Sequence, residues 1–384
     1  MTALSVLKLA LLIPVLSGSI FSLLTVLTAW RFYARRIPTT SAVLPPVTVL
    51  KPIYGLDREL EAGLLSFCTQ DYPHLQLVMS LQRPDDPALP LLRKLEAQFP
   101  ERVTVVIGQS PPSVNGKVQN MVIGMGAVRH ELLVVSDSDV WAPRDYLRTM
   151  VSPLADAKLG YVCSLYRIRG ARNLAERLDL LSINADFMPS VIFAYMTRAA
   201  IFCLGASIAF RRSDLEAVGG MAAFADYLVE DHELGRRLHE RGLGVHLVPM
   251  TIDLAPDYAS LRAWWRHQVY WDQNTRAANL PGFALTILTR AVPFALLNSL
   301  ASGFAPVSLV IVAAAVSLRV GCAAAITVPQ KDWETLRALP WLPLRDGLAL
   351  VSWALALSRN SFEWRGNTFK LTRSGRIVPR DKTA

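Results

Sequence analysis

The chain has 384 residues, 52% of them hydrophobic, and its mean hydropathy of +0.30 is too high for an ordinary soluble enzyme and calls for membrane segments. A net charge of +9 would suit nucleic acid, but the basic residues sit beside apolar runs, as at Arg31, Arg35 and Arg36. That placement fits anionic lipid, and with no zinc spacing and no nucleic-acid motif a nucleic-acid partner is excluded.

The four cysteines, Cys68, Cys163, Cys203 and Cys322, are scattered, so they read as reduced thiols in a cytosol-facing protein. Residues 4–30 are apolar with Lys8 as the only ion, long enough to span about 30 Å of hydrocarbon as a helix. The run ends in Trp30-Arg31-Phe32-Tyr33, an interfacial anchor and not a small-residue cleavage site. An uncleaved helix with its N-terminus outside the cytoplasm is therefore expected. Residues 37–46 are a Pro/Thr/Ser-rich linker.

Strand and helix patterns then alternate. A strand at 47–50 closes on Lys51-Pro52, and a helix at 57–69 stops at Gln70-Asp71-Tyr72-Pro73. A strand at 75–81, a helix at 89–99 and a strand at 103–107 follow. Asn115-Gly116-Lys117 leads into a helix through Val128, and 132–135 is a further buried strand. This spacing demands right-handed βαβ crossovers and a mostly parallel α/β sheet, which binds ligands at the carboxyl ends of its strands. Two cofactor motifs fail. Gly116-Lys117 lacks the spacing of a phosphate-binding loop, and Gly124-Met125-Gly126 sits mid-helix without a third glycine.

The strand at 132–135 runs into Ser136-Asp137-Ser138-Asp139. On an extended backbone Asp-x-Asp sends both carboxylates to one side. A magnesium or manganese ion takes a few such hard oxygens and completes its shell from phosphates and water. A polar turn is the plainer alternative, since Asp and Ser favour turns. Further strands are expected at 159–165 and 202–210, separated by an apolar, aromatic stretch at 174–197 that Asp179 and Asp186 interrupt. Glu230-Asp231-His232-Glu233 opens a helix to Arg241. Acidic residues suit its dipole, yet four ionisable residues in a row exceed what a cap requires.

The stretch 261–271 is dense in aromatic and basic residues, either a membrane-interface belt or a wall for a sugar and diphosphate. Residues 283–328 are long enough for two spanning helices with a turn near Ser302-Gly303, despite Arg290 and Arg319. The run at 346–358 is short for a span and reads as re-entrant or interfacial. The tail at 364–380 is basic and expected in the cytoplasm.

Taken in order, Leu50-Lys51-Pro52, Gln70-Asp71-Tyr72-Pro73, Asp85-Asp86-Pro87-Ala88, Asn115-Gly116-Lys117, Asp137-Ser138-Asp139, Gly219-Gly220, Glu230-Asp231 and Trp271 resemble the ceramide glucosyltransferase-like enzymes. These are family 21 of the inverting GT-A glycosyltransferases, and the likeness runs from about 47 to 271. Length and wording are most similar to the bacterial hopanoid-biosynthesis members.

The resemblance implies a GT-A fold, a Rossmann-like nucleotide-diphospho-sugar transferase domain at 47–280. Around it would lie an N-terminal anchor at 1–36, membrane segments at 283–358 and a cytoplasmic tail at 359–384. It implies a UDP-sugar donor, Mg2+ or Mn2+, and a lipid acceptor. The pairing expected first is N-acetylglucosamine with a hopanoid, then glucose with ceramide; a polysaccharide synthase and an inactive membrane scaffold stand behind these.

By the same likeness Asp85 or Asp86 lies near the uridine, and Asp137 and Asp139 bind metal and diphosphate. Asp231 is the general base, and Lys117 and Trp271 count among the donor-binding residues. Tyr270 stands where the family's closing motif has arginine, which leaves Arg266 and Arg276 as candidate cations for the leaving group. Phe187-Met188-Pro189 occupies the region where animal members carry a histidine. The expected location is a bacterial inner membrane with the catalytic domain facing the cytoplasm.

Overall fold

Eight strands form one sheet: β1 (Val47–Pro52), β2 (Leu75–Leu81), β3 (Val103–Ile107), β4 (Leu132–Ser136), β5 (Val140–Trp141), β6 (Leu159–Ile168), β7 (Ser207–Arg211) and β8 (Gly244–Leu254). Their order is β3-β2-β1-β4-β7-β6-β8-β5. The structure is a computed structural model and describes residues 2–35, 44–109, 113–199, 201–359, 361–364, 367–372 and 375–379. Most of the linker expected at 37–46 lies outside the described residues.

Every residue of β1 and β2 is buried, as strands covered on both faces require. β1 to β4 pair in parallel, with Leu50 opposite both Val78 and Val135. β7 runs antiparallel to β4, bringing Ser207 opposite Ser136, and β6 runs antiparallel to β7. The strand order reverses between β1 and β4, where such sheets open a crevice at the carboxyl ends.

Some boundaries differ from the sequence expectation. The strand expected at 202–210 is only Ser207–Arg211, because the chain through Gly205 is a loop that passes the end of β4. β8 was not anticipated; Pro249 within it argues against a strand, and its polar residues break the apolar run.

The chain divides into two units that interleave along the sequence. Arg36–Arg167, Ile201–Asp257 and Ser361–Ala384 make the sheet unit, and Met1–Arg35, Ile168–Ala200 and Tyr258–Asn360 make the helical unit. The apolar stretch at 174–197 thus belongs with the terminal helices, and the tail belongs with the sheet.

Among the described residues, three helices are long and apolar enough to cross a membrane: Ala3–Tyr33, Leu174–Thr197 and Pro306–Thr327. Of the two spanning helices expected in 283–328, with the turn at Ser302-Gly303 in place, the first is a pair, Leu280–Thr289 and Ala291–Ala301, bent by 58°. The segment expected at 346–358 is part of a longer helix, Leu342–Ser358, that takes Pro343 into its first turn.

Helix Ala3–Tyr33 packs through small residues; a Cβ on Gly18 would stand 2.6 Å from the Ala291 nitrogen. The middle of Leu174–Thr197 is a π turn, Ile183–Phe187. It presents Asp186 to Arg345 at 2.7 Å, Arg290 at 2.8 Å and Arg319 at 3.4 Å, while Asp346 pairs with Arg319 and Arg345. The two arginines in the apolar run, Arg290 and Arg319, are therefore counter-charges to the half-buried carboxylate of Asp186.

Candidate active site

Asp137 follows β4 directly, and its N–H donates to the Ala206 carbonyl at 3.2 Å, which draws the loop before β7 over the strand end. Beneath it lies Lys51, fully buried at the end of β1. Its Nζ donates to the Asp137 carbonyl at 2.7 Å and the Ser136 hydroxyl at 3.2 Å, and sits 3.6 Å from the centre of the Phe67 ring. Burial lowers the Lys51 pKa to about 7 against the pull of Asp139 and Asp137. The resemblance quoted Lys51 without giving it a role, and its place below the Asp-x-Asp turn became visible only in three dimensions.

The carboxylates above it are crowded. Burial, then Asp137 and Asp57, push Asp139 up to about 7, and Asp57 also accepts from the Ser138 hydroxyl at 2.7 Å. Among the described residues no three His, Cys, Asp or Glu side chains converge as a complete metal cage. Two hard carboxylates at one strand end, with the rest of the shell left to a diphosphate and water, fit a magnesium- or manganese-type ion.

Lys117 joins this centre to the acidic helix Glu230–Glu240. Its Nζ lies 2.7 Å from Asp137 and 3.0 Å from Glu230. Burial opposes its charge, but Asp137, Glu230 and Asp231 outweigh that and push its pKa well up. Asn115 makes this possible. Its Oδ1 caps the helix Gly116–Met125, accepting from the Lys117 and Val118 N–H groups, while its Nδ2 donates to the Tyr227 carbonyl and to Glu230.

Asp231 sits in the first turn of its helix and accepts from the His232 N–H at 2.7 Å. Burial and Glu230 raise it to about 7, with Lys117 pulling the other way. Its Oδ2 occupies the space beside Gly205, only 2.5 Å from where a Cβ on that residue would stand. Gly205 was not singled out in the sequence, since nothing local marks a glycine that exists to clear room for a distant side chain.

Lys117, Asp137, Glu230 and Asp231 thus form one cluster, with Asp139 two residues on from Asp137. The other expected residues lie apart from those bonds. Asp85 is exposed and paired with Arg83, whose hydrogen bond holds its pKa low. Asp86 accepts from the Gly55 and Ala88 N–H groups and so ties the loop after β2 to the one after β1.

Trp271 belongs to the helical unit, where it meets Phe187 edge-on at 5.2 Å and His267 at 6.1 Å. His267 is no substitute for the missing arginine: burial lowers its pKa to about 4, so it is neutral. Arg276 is buried and donates to the Leu357 carbonyl, whereas Arg266 is exposed.

The family model described as glycosyl transferase family 21 matches residues 10–377. The chain belongs to that family. Among curated relatives, ceramide glucosyltransferase 1 of Caenorhabditis elegans is 26% identical over 52% of this chain and 43% of its own length. Ceramide glucosyltransferase 3 of the same organism is 23% identical over 88% of this chain and 75% of its own. The chain therefore spans less than half of the first relative.

A solved mannosyltransferase from Pyrobaculum calidifontis, in complex with GDP-Man and Mn2+, is similar over 90% of this chain and 99% of its own, with a TM-score of 0.51 and 21% identity. That likeness is one of fold, and it makes the family 21 sheet unit a GT-A arrangement, as the sequence motifs implied.

Proposed function

We propose that this family 21 member is a metal-dependent inverting glycosyltransferase that moves a sugar from a UDP-sugar to a lipid hydroxyl at a membrane. The observation that carries the reading is the cluster at the end of β4, where Lys117 pairs with Asp137 and Glu230 beside Asp231, and Asp139 follows Asp137 on the same turn. Asp137 and Asp139 would hold the ion, which supplies positive charge against the leaving diphosphate.

Lys117 is close enough to exchange its carboxylate partners for a phosphate oxygen. Lys51 anchors the backbone of Asp137 from below. Asp231, with a pKa near neutrality, is suited to accept the acceptor hydroxyl's proton as that oxygen attacks the anomeric carbon. One displacement with no enzyme nucleophile inverts the centre.

The apolar helices supply the reason for a lipid acceptor, and an orientation with the sheet unit in a bacterial cytoplasm follows from the basic flanks of the first helix and from where UDP-sugars are made. The names of the curated relatives favour ceramide with glucose. N-acetylglucosamine with a hopanoid rests on the sequence resemblance alone and is the second reading.

The test is a panel of UDP-glucose and UDP-N-acetylglucosamine, each with ceramide and with a bacteriohopanepolyol, read by lipid mass spectrometry. One pair should turn over, stop with chelator and resume with Mn2+ or Mg2+. Asp139→Asn should lose most of that turnover while its melting temperature is kept. Full activity in chelator refutes the metal, and no lipid product from any pair refutes the acceptor class.

A further inference from the structure

Past the last apolar helix the sequence suggests only a basic tail. The described residues there form a small antiparallel sheet within the sheet unit: Ser361–Trp364, Asn367–Leu371 and Ile377–Pro379. Its end lies on the segment that leads into the acidic helix. The Ile377 N–H donates to the Asp226 carbonyl at 2.8 Å, the Leu228 N–H donates to the Gly375 carbonyl at 3.1 Å, and Tyr227 pairs with Arg376 as an isolated antiparallel bridge.

The Arg376 guanidinium lies 5.3 Å from the centre of the Tyr227 ring, and Ile377 is buried. Gly375 takes a left-handed conformation, φ +75°, in the turn that aims its carbonyl at Leu228.

These bonds matter because of what the helix Glu230–Glu240 lacks. Val229 stands at its cap position and has no side-chain acceptor to offer the first turn. The direction of that turn, and with it the position of Asp231, depends on how residues 225–229 are held. Asn115 binds the Ala225 and Tyr227 carbonyls, and the tail binds Asp226 and Leu228. The segment is gripped at alternating residues by two parts of the chain more than two hundred positions apart.

We propose that residues 375–377 form a positioning strap for the base, fixing the backbone from which Asp231 reaches the acceptor hydroxyl. The strap rests on the reading of Asp231 as that base. Neither Gly375, Arg376 nor Ile377 touches substrate; they act through the 226–228 backbone.

The test uses the full chain in detergent with the donor–acceptor pair that the wild type turns over. Arg376→Ala should lower kcat roughly tenfold or more, since small misplacements of a reacting group are costly, while the KM for the UDP-sugar stays within about twofold. Hydrogen exchange at the Leu228 amide should quicken. Arg376→Lys, which keeps a cation over the ring, should recover most of kcat.

If Arg376→Ala does not fold, Tyr227→Leu removes the same contact from the other side and carries the same expectation. Unchanged kcat with quickened exchange at Leu228 overturns the strap, as does a parallel loss in kcat and donor KM that Arg376→Lys does not rescue. Asp231→Asn is run beside them. Near-normal transfer by that variant overturns the base assignment and the strap together, whereas its inactivity beside a fully active Arg376→Ala overturns the strap alone.

Discussion

Asp231 works between neighbours of opposite sign. Burial and Glu230 raise its pKa to about 7, and Lys117 restrains the rise. Only the ionised carboxylate accepts a proton, so kcat should climb about tenfold per pH unit on the acid side of that value and level off above it. Glu230→Gln removes the charge that raises the pKa, so the acid limb should move to lower pH. A pH–kcat profile reads this, and a limb that stays put or moves upward would refute the arrangement.

Gly205 is the second residue to test. Gly205→Ala puts a methyl group 2.5 Å from the Asp231 Oδ2 and must displace it, so kcat should fall about a hundredfold while UDP binding survives. Unchanged turnover would mean that the carboxylate is not needed where it stands. Neither Gly205 nor Lys51 was legible as a functional residue in the sequence. Asp137, Asp139 and Asp231 stood out as candidates, because carboxylates at the end of an apolar run, or packed into one helical turn, exceed what a turn or a cap requires; it was the family resemblance that picked Asp231 from its acidic neighbours.

At the scale of elements, the parallel half of the sheet was readable because each of its strands is a short branched run closed by polar residues. The antiparallel half was readable only in part: β6 and the end of the stretch that became β7 were anticipated, and β5 and β8 were not. β5 has two residues, β8 carries a proline, and both gain their order from pairing with each other, at Val140 with Leu254 and Trp141 with Asp253. Long-range pairing of this kind leaves no local pattern.

The bent helix pair was likewise hidden, since composition reports apolarity and not direction. What holds the helices is easier to test. Asp186 faces three arginines, of which Arg319 and Arg345 also hold Asp346, so Asp186→Asn should leave Arg290 without its carboxylate and lower the melting temperature. Thermal melts in detergent would register it, and a variant as stable as the wild type would show that the arginines find other partners.

For the whole molecule, the apolar surface decides where it resides. Leu4, Leu9, Ile13, Leu16, Val307 and Val310 are all exposed on the helices Ala3–Tyr33 and Pro306–Thr327. Such side chains have no aqueous solution, so the protein should stay with membranes through an alkaline carbonate wash and come away only with detergent. Recovery in the carbonate supernatant would refute the spanning reading.

The interleaving of the two units also bears on how the protein is made. The sheet unit's last piece, Ser361–Ala384, emerges from the ribosome only after every helix of the helical unit has been synthesised. On the reading proposed for Asp231, the backbone that the tail holds at Asp226 and Leu228 is therefore the last part of its surroundings to be completed, after every apolar segment has been made.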